Sequence, residues 1–482
     1  MNTDDTEGQS TSGAWGELLG RRHLGAMLVL AGGVALYATN VFLTTSLLPS
    51  ATAEIGGEEL YAWATTIFLL GSVITSVLVS RLLRATSGRT AYLVAIAAFV
   101  LGTIVCALAP SMPVLLAGRA VQGAGGGLLA GLGYALIRST LPSTLWARGT
   151  ALISAMWGVG TFLGPALGGA FAELGAWRGA FVALAVVALV VGVLVPWALP
   201  NAREDVEDEP FPLISLILVT AAALCVSVAS VFATPLISIA GVLVGVLLLV
   251  LFLAHERRTS AGVLPSAAFR TGSPVRWIYL TIAVLAVGST AETFVPLFGQ
   301  RLAGLAPLAA GFLGAAIAAG WTLGEIPSAG ASRPGVTRRI VIAGPLVLAG
   351  GLGLAAVTQQ EQAGGVTIAL WVAAMVVAGS GIGMAWPHLA AGAMTEADGG
   401  SDGDKASAAI NTVQLVANSF GASLTGVLVN LGEPDTVLSA RYLFGGFAVL
   451  AVAGTAAAIL SQRRTHTGPA TKSYSTAAHS EP

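Results

Sequence analysis

Apolar residues run along this chain in stretches of about 20, and the polar residues collect in the short breaks between them. That is the length an α-helix needs to cross the ~30 Å hydrocarbon core of a bilayer. The stretches lie near 24–48, 60–83, 90–110, 112–137, 147–172 and 177–199, then 212–232 and 235–254, then 276–299, 307–329, 338–358, 364–395, 405–430 and 438–461. They predict an all-α membrane protein with 14 transmembrane helices in the order six, two, six. The pair at 212–254 is separated by little more than Thr234-Pro235, so it reads either as two spans or as one re-entrant hairpin. The predicted organisation is a tail at 1–23, a six-helix bundle at 24–199, a linker with two extra helices at 200–275, a second six-helix bundle at 276–462 and a tail at 463–482. Both tails are polar and rich in Ser, Thr and Gly, which predicts disorder.

Composition agrees with the pattern. The 482 residues are 55% hydrophobic and 10% charged, against about 25% charged in a soluble domain. The 61 glycines fit membrane helices that approach closely. Cys106 and Cys225 both fall in apolar stretches and are expected to be packing residues with no disulfide between them. The first apolar stretch follows Arg21-Arg22-His23 and lacks a small-residue cleavage site, so no cleavable signal peptide is expected.

The basic residues add an orientation. With the N-terminus placed inside, 19 of the 23 Lys and Arg residues fall in inside segments, and only Arg178, Arg301 and Arg441 fall outside. The positive-inside rule then puts both termini in the cytoplasm and requires an even number of spans. The acidic run EDVEDE (204–209) weighs little in that rule and reads as a solvated linker.

The remaining basic residue, Arg119, lies within VLLAGRAVQGAGGGLLAGLGYALI (114–137). An arginine at a helix centre costs about 2.5–3.5 kcal/mol on insertion scales, so it should be paired or line a wet cavity. Gln122 shares its helix face at i+3. Gly160, Gly164 and Gly168 recur every fourth residue and form a flat stripe, and Pro165 removes one helix hydrogen bond beside it. Asn411, Gln414 and Asn418 share one face of the thirteenth span. They read either as interhelical hydrogen bonds or as a polar cavity wall. Trp157, Phe294, Phe298, Trp321 and Trp386 are candidate aromatic lining or ordinary packing, and His388 follows Trp386-Pro387. There is no Walker loop, metal-spaced His/Cys cluster or nucleophile elbow, which argues against ATP hydrolysis and conventional enzymology and calls for no cofactor.

Several of these segments resemble one family. GPALGG (164–169), with Gly164, Pro165, Gly168 and Gly169, resembles the antiporter motif of the major facilitator superfamily. GRAVQGAGGG (118–127) resembles its fourth-helix motif. LLPSATAEIG (47–56) and PLFGQRLAGLAPLAAG (296–311) resemble matching segments of the two halves in its drug:proton antiporters with 14 spans. The resemblance implies two pseudo-symmetric bundles around a central cavity. It also implies export of small amphipathic compounds driven by proton entry, by a monomer in a bacterial inner membrane with no nucleic-acid partner. The alternatives in view are export of an endogenous lipid or metabolite, and uncoupled facilitation. Two departures stand out. Asn40 occupies the place where that branch carries an Asp in helix 1. RLLRATSGR (81–89) keeps only Gly88 and Arg89 of the usual GxxxDRxGR loop.

Depth supplies a candidate acid. Taking ~1.5 Å of rise per residue, Asn40 and Glu292 each lie about 24 Å from the inner ends of their helices. Arg119 lies about 10 Å below the outer end of its own helix, a matching level in a ~30 Å core. The resemblance implies that the ninth span is the counterpart of helix 1 and that both line the cavity, so Glu292 is the expected partner of Arg119, directly or through water, and the expected proton carrier, with a carboxylate reaching to the outer interface as the alternative. Glu325, near the inner end of the tenth span, is expected to pair with Arg333, Arg338 and Arg339, with proton carriage as its alternative role. Asn40, Gln122, Trp157, Phe294, Trp386, Asn411, Gln414 and Asn418 are the expected substrate-cavity residues.

Overall fold

The computed structural model describes residues 15–201, 212–229, 231, 235–259, 262–331, 333–395 and 401–462. Among these there is no strand. The long helices are α1 (Leu24–Ile55), α2 (Tyr61–Val77), α3 (Gly88–Ala107), α4 (Met112–Ala135), α5 (Trp146–Glu173) and α6 (Trp177–Ala198). Then come α7 (Leu213–Ala229), α8 (Pro235–Glu256), α9 (Val275–Ser289), α10 (Val295–Ala303) and α11 (Pro307–Ala329). The last four are α12 (Pro334–Thr358), α13 (Gly365–Thr395), α14 (Ser401–Asn430) and α15 (Thr436–Ser461).

Twelve of these helical segments are long and apolar enough to cross a membrane, with α9 and α10 together forming one of them. Two of the 14 expected spans fall outside that number. The helix α4 is diluted by glycine and carries Arg119, and α7 is only 17 residues long.

Each packing pair in residues 24–199 has a counterpart in residues 275–461. The helix α1 packs on α5 and α6 as α9 packs on α14 and α15, and α2 packs on α4 as α11 packs on α13. Likewise α3 packs on α4 and α6, and α12 on α13 and α15. Helices α7 and α8 pack against each other, and α7 lies in the seam between α2 and α14. There Trp63 Nε1 donates to Ser227 O at 2.8 Å, Ser227 and Ser423 hydroxyls meet at 2.7 Å, and Ser423 reaches Thr66 Oγ1 at 3.4 Å.

The glycine stripe of α5 explains its close fit to α1. A Cβ at Gly164 would fall 2.5 Å from Phe42 Cβ and 2.8 Å from Leu43 N, and one at Gly160 would fall 2.5 Å from Ala38 Cβ. Only a residue without a side chain lets the two backbones come so near. Gly169 serves a different neighbour, the start of α11, where its Cβ would fall 2.5 Å from Leu308 Cα.

The ninth expected span is interrupted. A 3-10 turn, Thr290–Thr293, separates α9 from α10. Ser289 and Thr290 turn their hydroxyls back onto Ala286 O and Val287 O at 2.8 and 2.7 Å, and Pro296 lacks the N–H that would bond to the carbonyl of residue 292. The tightened turn carries Glu292.

Candidate functional site

The two halves of the chain meet at one end of the molecule and part towards the other. At the meeting end Arg301 of α10 pairs with Glu58 at 2.6 Å, and the rings of Tyr61 and Phe294 lie 4.7 Å apart. Gly311 of α11 abuts Ser46 and Pro165, and Phe162 of α5 meets Phe312 at 5.6 Å. A cavity of about 180 Å³ sits here, lined in part by Tyr61, Phe294, Phe298, Arg301 and Glu433. Beyond Phe162 and Phe312 no such contacts continue among the described residues. Nothing lies within 4 Å of a Cβ built on Gly158, Trp157 is 39% exposed, and Leu323 and Ile326 are 63% and 71% exposed. The space between the halves is therefore a cleft, sealed at the end with Glu58 and Arg301 and open towards the other.

Arg119 lies deep within the first half, against α2, 1% exposed. Its Nε donates to Ala64 O at 3.0 Å and its Nη1 to Gln122 Oε1 at 2.6 Å. The guanidinium carbon sits 4.1 Å from the centre of the Phe68 ring, a cation–π contact. Gln122 Nε2 passes the chain on to Thr103 Oγ1 at 2.8 Å. Tyr37 stacks on Phe68 at 5.4 Å and meets Trp157 edge-on at 5.6 Å. The expected direct Arg119–Glu292 pairing is not what the structure contains: a backbone carbonyl, an amide and an aromatic face hold the charge. Backbone oxygens have a second lone pair to offer within a helix, so Ala64 can accept without breaking its own ladder.

Glu292 is half-buried on its 3-10 turn, and among the described residues no hydrogen bond or ion pair reaches its carboxyl group. Asn40 is 0% exposed, and neither end of its amide has a hydrogen-bond partner; the hydroxyls of Thr44 and Ser46 on the same helix are likewise buried and unpartnered. An unpaired buried polar group costs about 1–3 kcal/mol, so several on one helix mark a site kept for something other than stability.

Phe294 is buried between Tyr61 and Phe298, at the sealed end and away from the open part of the cleft. Trp321 and Trp386 pack at 4.9 Å, and Trp321 Nε1 donates to Glu325 Oε2 at 3.0 Å. The expected pairing of Glu325 with Arg333, Arg338 and Arg339 is thus replaced by a bond one helical turn away, while those three arginines are exposed at the start of α12. Gln414 and Asn418 are half-buried on α14, with Asn418 Oδ1 unpartnered, and the side chain of Asn411 lies outside the described residues. His388 Nε2 is also buried without a partner. Among the described residues no group of His, Cys, Asp and Glu is placed to hold a metal ion.

The sequence reading missed Glu58, Arg301 and Tyr61. A signal was present: Arg301 is one of only three basic residues on the side the charge bias leaves nearly bare. It also missed the cluster at the end of α1, where Glu54 accepts from Trp177 Nε1 at 2.6 Å and pairs with Arg178 at 2.5 Å.

Comparison with known proteins gives three findings. The family model described as Major Facilitator Superfamily matches residues 28–422. A protein of Mycobacterium tuberculosis named a probable multidrug-efflux transporter is 50% identical over 469 residues, covering 96% of this chain and 98% of that one. Among solved structures, a D-xylose-proton symporter superposes with a TM-score of 0.65 at 17% identity, covering 91% of this chain and 97% of that one. A bacterial homologue of the human lysosomal transporter Spinster, in an inward-facing conformation, gives 0.61 at 16% identity, covering 91% and 96%.

Proposed function

The chain belongs to the major facilitator superfamily, and from that premise we propose that it is a proton-coupled exporter of amphipathic, drug-like compounds in a bacterial inner membrane. The observation that carries the reading is the cleft between two similarly packed halves, closed at one end only, with unpaired polar groups buried on α1. A fold of this kind moves cargo by rocking one half against the other around a fixed site. The 50% identity to a protein named a multidrug-efflux transporter supports export as the direction and drugs as the cargo class.

With the basic residues placed inside, both termini are cytoplasmic, the Glu58–Arg301 end faces outward, and the cleft opens to the cytoplasm. Residues 24–199 and 276–462 are then the two six-helix bundles, and α4 and α7 complete 14 spans. Glu292 is the coupling acid: an acid without a partner on an interrupted helix gains or loses a proton with little to hold its charge in place. Arg119, fixed by Ala64, Gln122 and Phe68, contributes a standing positive charge near the cleft without exchanging partners. Trp157, Trp386, Gln414 and Asn418 contribute to the cavity wall, Asn40 and Gln122 lie buried behind it, Phe294 closes its outer end, and Glu325 anchors Trp321. Proton entry supplies about 2.3 kcal/mol per charge per 100 mV of membrane potential.

The test is purified protein in proteoliposomes with an imposed pH gradient and a panel of organic cations, neutral drugs and lipids. Gradient-dependent accumulation of one or more drugs is expected. Equilibration without accumulation would replace antiport by facilitated diffusion, and movement of lipids alone would reassign the cargo.

A further inference from the structure

The cavity of about 180 Å³ lies at the sealed end, apart from the open part of the cleft. A single water needs about 10–15 Å³ of such space, so the cavity has room for an organic molecule. Its walls come from both halves: Glu58 and Tyr61 from the first, Phe294, Phe298, Arg301 and Glu433 from the second. The lining is graded from floor to rim. Tyr61, Phe294 and Phe298 are buried, with ring centres 4.7 and 6.0 Å apart along the series, and make an aromatic floor. Glu58, Arg301 and Glu433 are exposed and make a charged rim.

The rim has a sign. Glu58 and Arg301 hold each other at 2.6 Å and cancel. No hydrogen bond or ion pair with the described residues reaches the Glu433 carboxylate, so one negative charge is left over. The surrounding loops lean the same way. Glu59, Glu173, Glu361 and Asp435 join Glu54, Glu58 and Glu433 at this end, against Arg178, Arg301 and Arg441. The field of such a surface raises the local concentration of cations.

We propose that this cavity is a second ligand site, separate from the cargo cleft, that takes a small organic ammonium ion with an aromatic or alkyl body. The body lies against Tyr61, Phe294 and Phe298, and the ammonium stands beside Glu433 at the rim. An anion fits less well, because the guanidinium in the lining is already taken by Glu58. An uncharged body gains the floor and leaves Glu433 as it was. Because the walls belong to both halves, the site exists only while this end is closed. A ligand that binds one state alone favours it in proportion to its occupancy, so at ten times its dissociation constant it multiplies the closed-to-open ratio about elevenfold. The site is therefore a brake: its occupant holds the halves together here and delays the return stroke.

The probe is benzyltrimethylammonium, a permanent cation that stays on the side where it is added; benzyl alcohol carries the ring without the charge. With Cys106 and Cys225 replaced by Ala, Thr436→Cys on the cavity wall and Glu59→Cys outside it are labelled by a water-soluble thiol reagent in nanodiscs. The probe should slow labelling at 436 at least threefold and leave 59 unchanged. Benzyl alcohol should do neither, and Glu433→Gln should remove the protection. Should the Thr436 variant not fold, calorimetric titration of the chain with both cysteines intact gives the same answer, with at least a threefold loss of affinity in Glu433→Gln. No slowing at 436, equal protection by benzyl alcohol, or protection that survives Glu433→Gln would overturn the site. In proteoliposomes, probe added on the Glu58–Arg301 side should lower drug flux at least threefold in the wild type and leave Glu433→Gln unaffected; protection without inhibition would overturn the brake. Labelling is read without transport, so loss of the site leaves the export reading standing, and loss of the export reading leaves the site.

Discussion

If the Glu58–Arg301 pair holds the halves together at one end, removing it should shift the balance between the two orientations of the cleft by an amount set by its exposure. The side chains are 38% exposed for Arg301 and 55% for Glu58. Half-exposed pairs contribute about 0.2–1 kcal/mol. Since 1 kcal/mol is about a fivefold change in an equilibrium, Arg301→Gln should raise the fraction open at that end by roughly 1.5- to 5-fold. The ring contact between Tyr61 and Phe294, at 4.7 Å and out of water, is worth about 0.5–1.5 kcal/mol beyond the area it buries, so Tyr61→Ala should act more strongly. Spin labels at Glu59 and Glu361, both exposed at this end, report the opening by pulsed distance measurement. The wild type in 1 M salt, where the screening length falls to about 3 Å, should move part of the way towards Arg301→Gln. Swapping the charges with Glu58→Arg and Arg301→Glu together should return the wild-type distribution. An Arg301→Gln shift that salt does not mimic and the swap does not reverse would show that the pair is incidental to closure.

Three further outcomes follow from the same geometry. Gly164→Leu forces α5 from α1, where even a Cβ would fall 2.5 Å from Phe42 Cβ; transport should be lost while the protein still inserts, and a normally expressed, fully active variant would place the stripe against lipid. Arg119→Ala leaves Gln122 Oε1 without its donor, at about 1–3 kcal/mol, while Ala64 O keeps its helix hydrogen bond, and should lower the thermal midpoint in detergent; Arg119→Lys, a point charge that cannot serve both acceptors from one planar fork, should recover only part of the loss. Glu292→Gln should abolish drug-induced proton release from purified protein while leaving drug binding in place, and release equal to wild type would move the coupling acid elsewhere.

Helix positions were legible because lipid demands long apolar stretches, and no tertiary neighbour alters that demand. The break in the ninth span was legible in principle, from Ser289, Thr290 and Pro296, but its apolar surroundings hide it. Partners of the charged groups were harder to read. Arg119 looked for an acid because a charge is conspicuous in a sequence, whereas the carbonyl of Ala64 and the face of Phe68 belong to another helix. A carbonyl also looks the same at every residue. Glu325 shows the opposite failure. Its partner Trp321 stood four residues away at helical spacing, and the three arginines drew attention only because opposite charge is the stronger expectation on paper. The cover that α7 lays over one seam has no local signal, since an apolar helix facing protein and one facing lipid are composed alike.

The three hydroxyls of Thr66, Ser423 and Ser227 bring a mechanical consequence. They pin α2, α14 and α7 together at one level. If the halves rock, that level behaves as a fulcrum, and displacement grows with distance from it. The far end of α2, at Val77, is about 17 Å along the helix from Thr66 and would travel farthest. An inserted helix fastened anywhere else would have to stretch or detach with each stroke. Fastened at the pivot, α7 rides through the cycle nearly at rest, so two extra helices can be carried by the molecule without adding to the work of turning it.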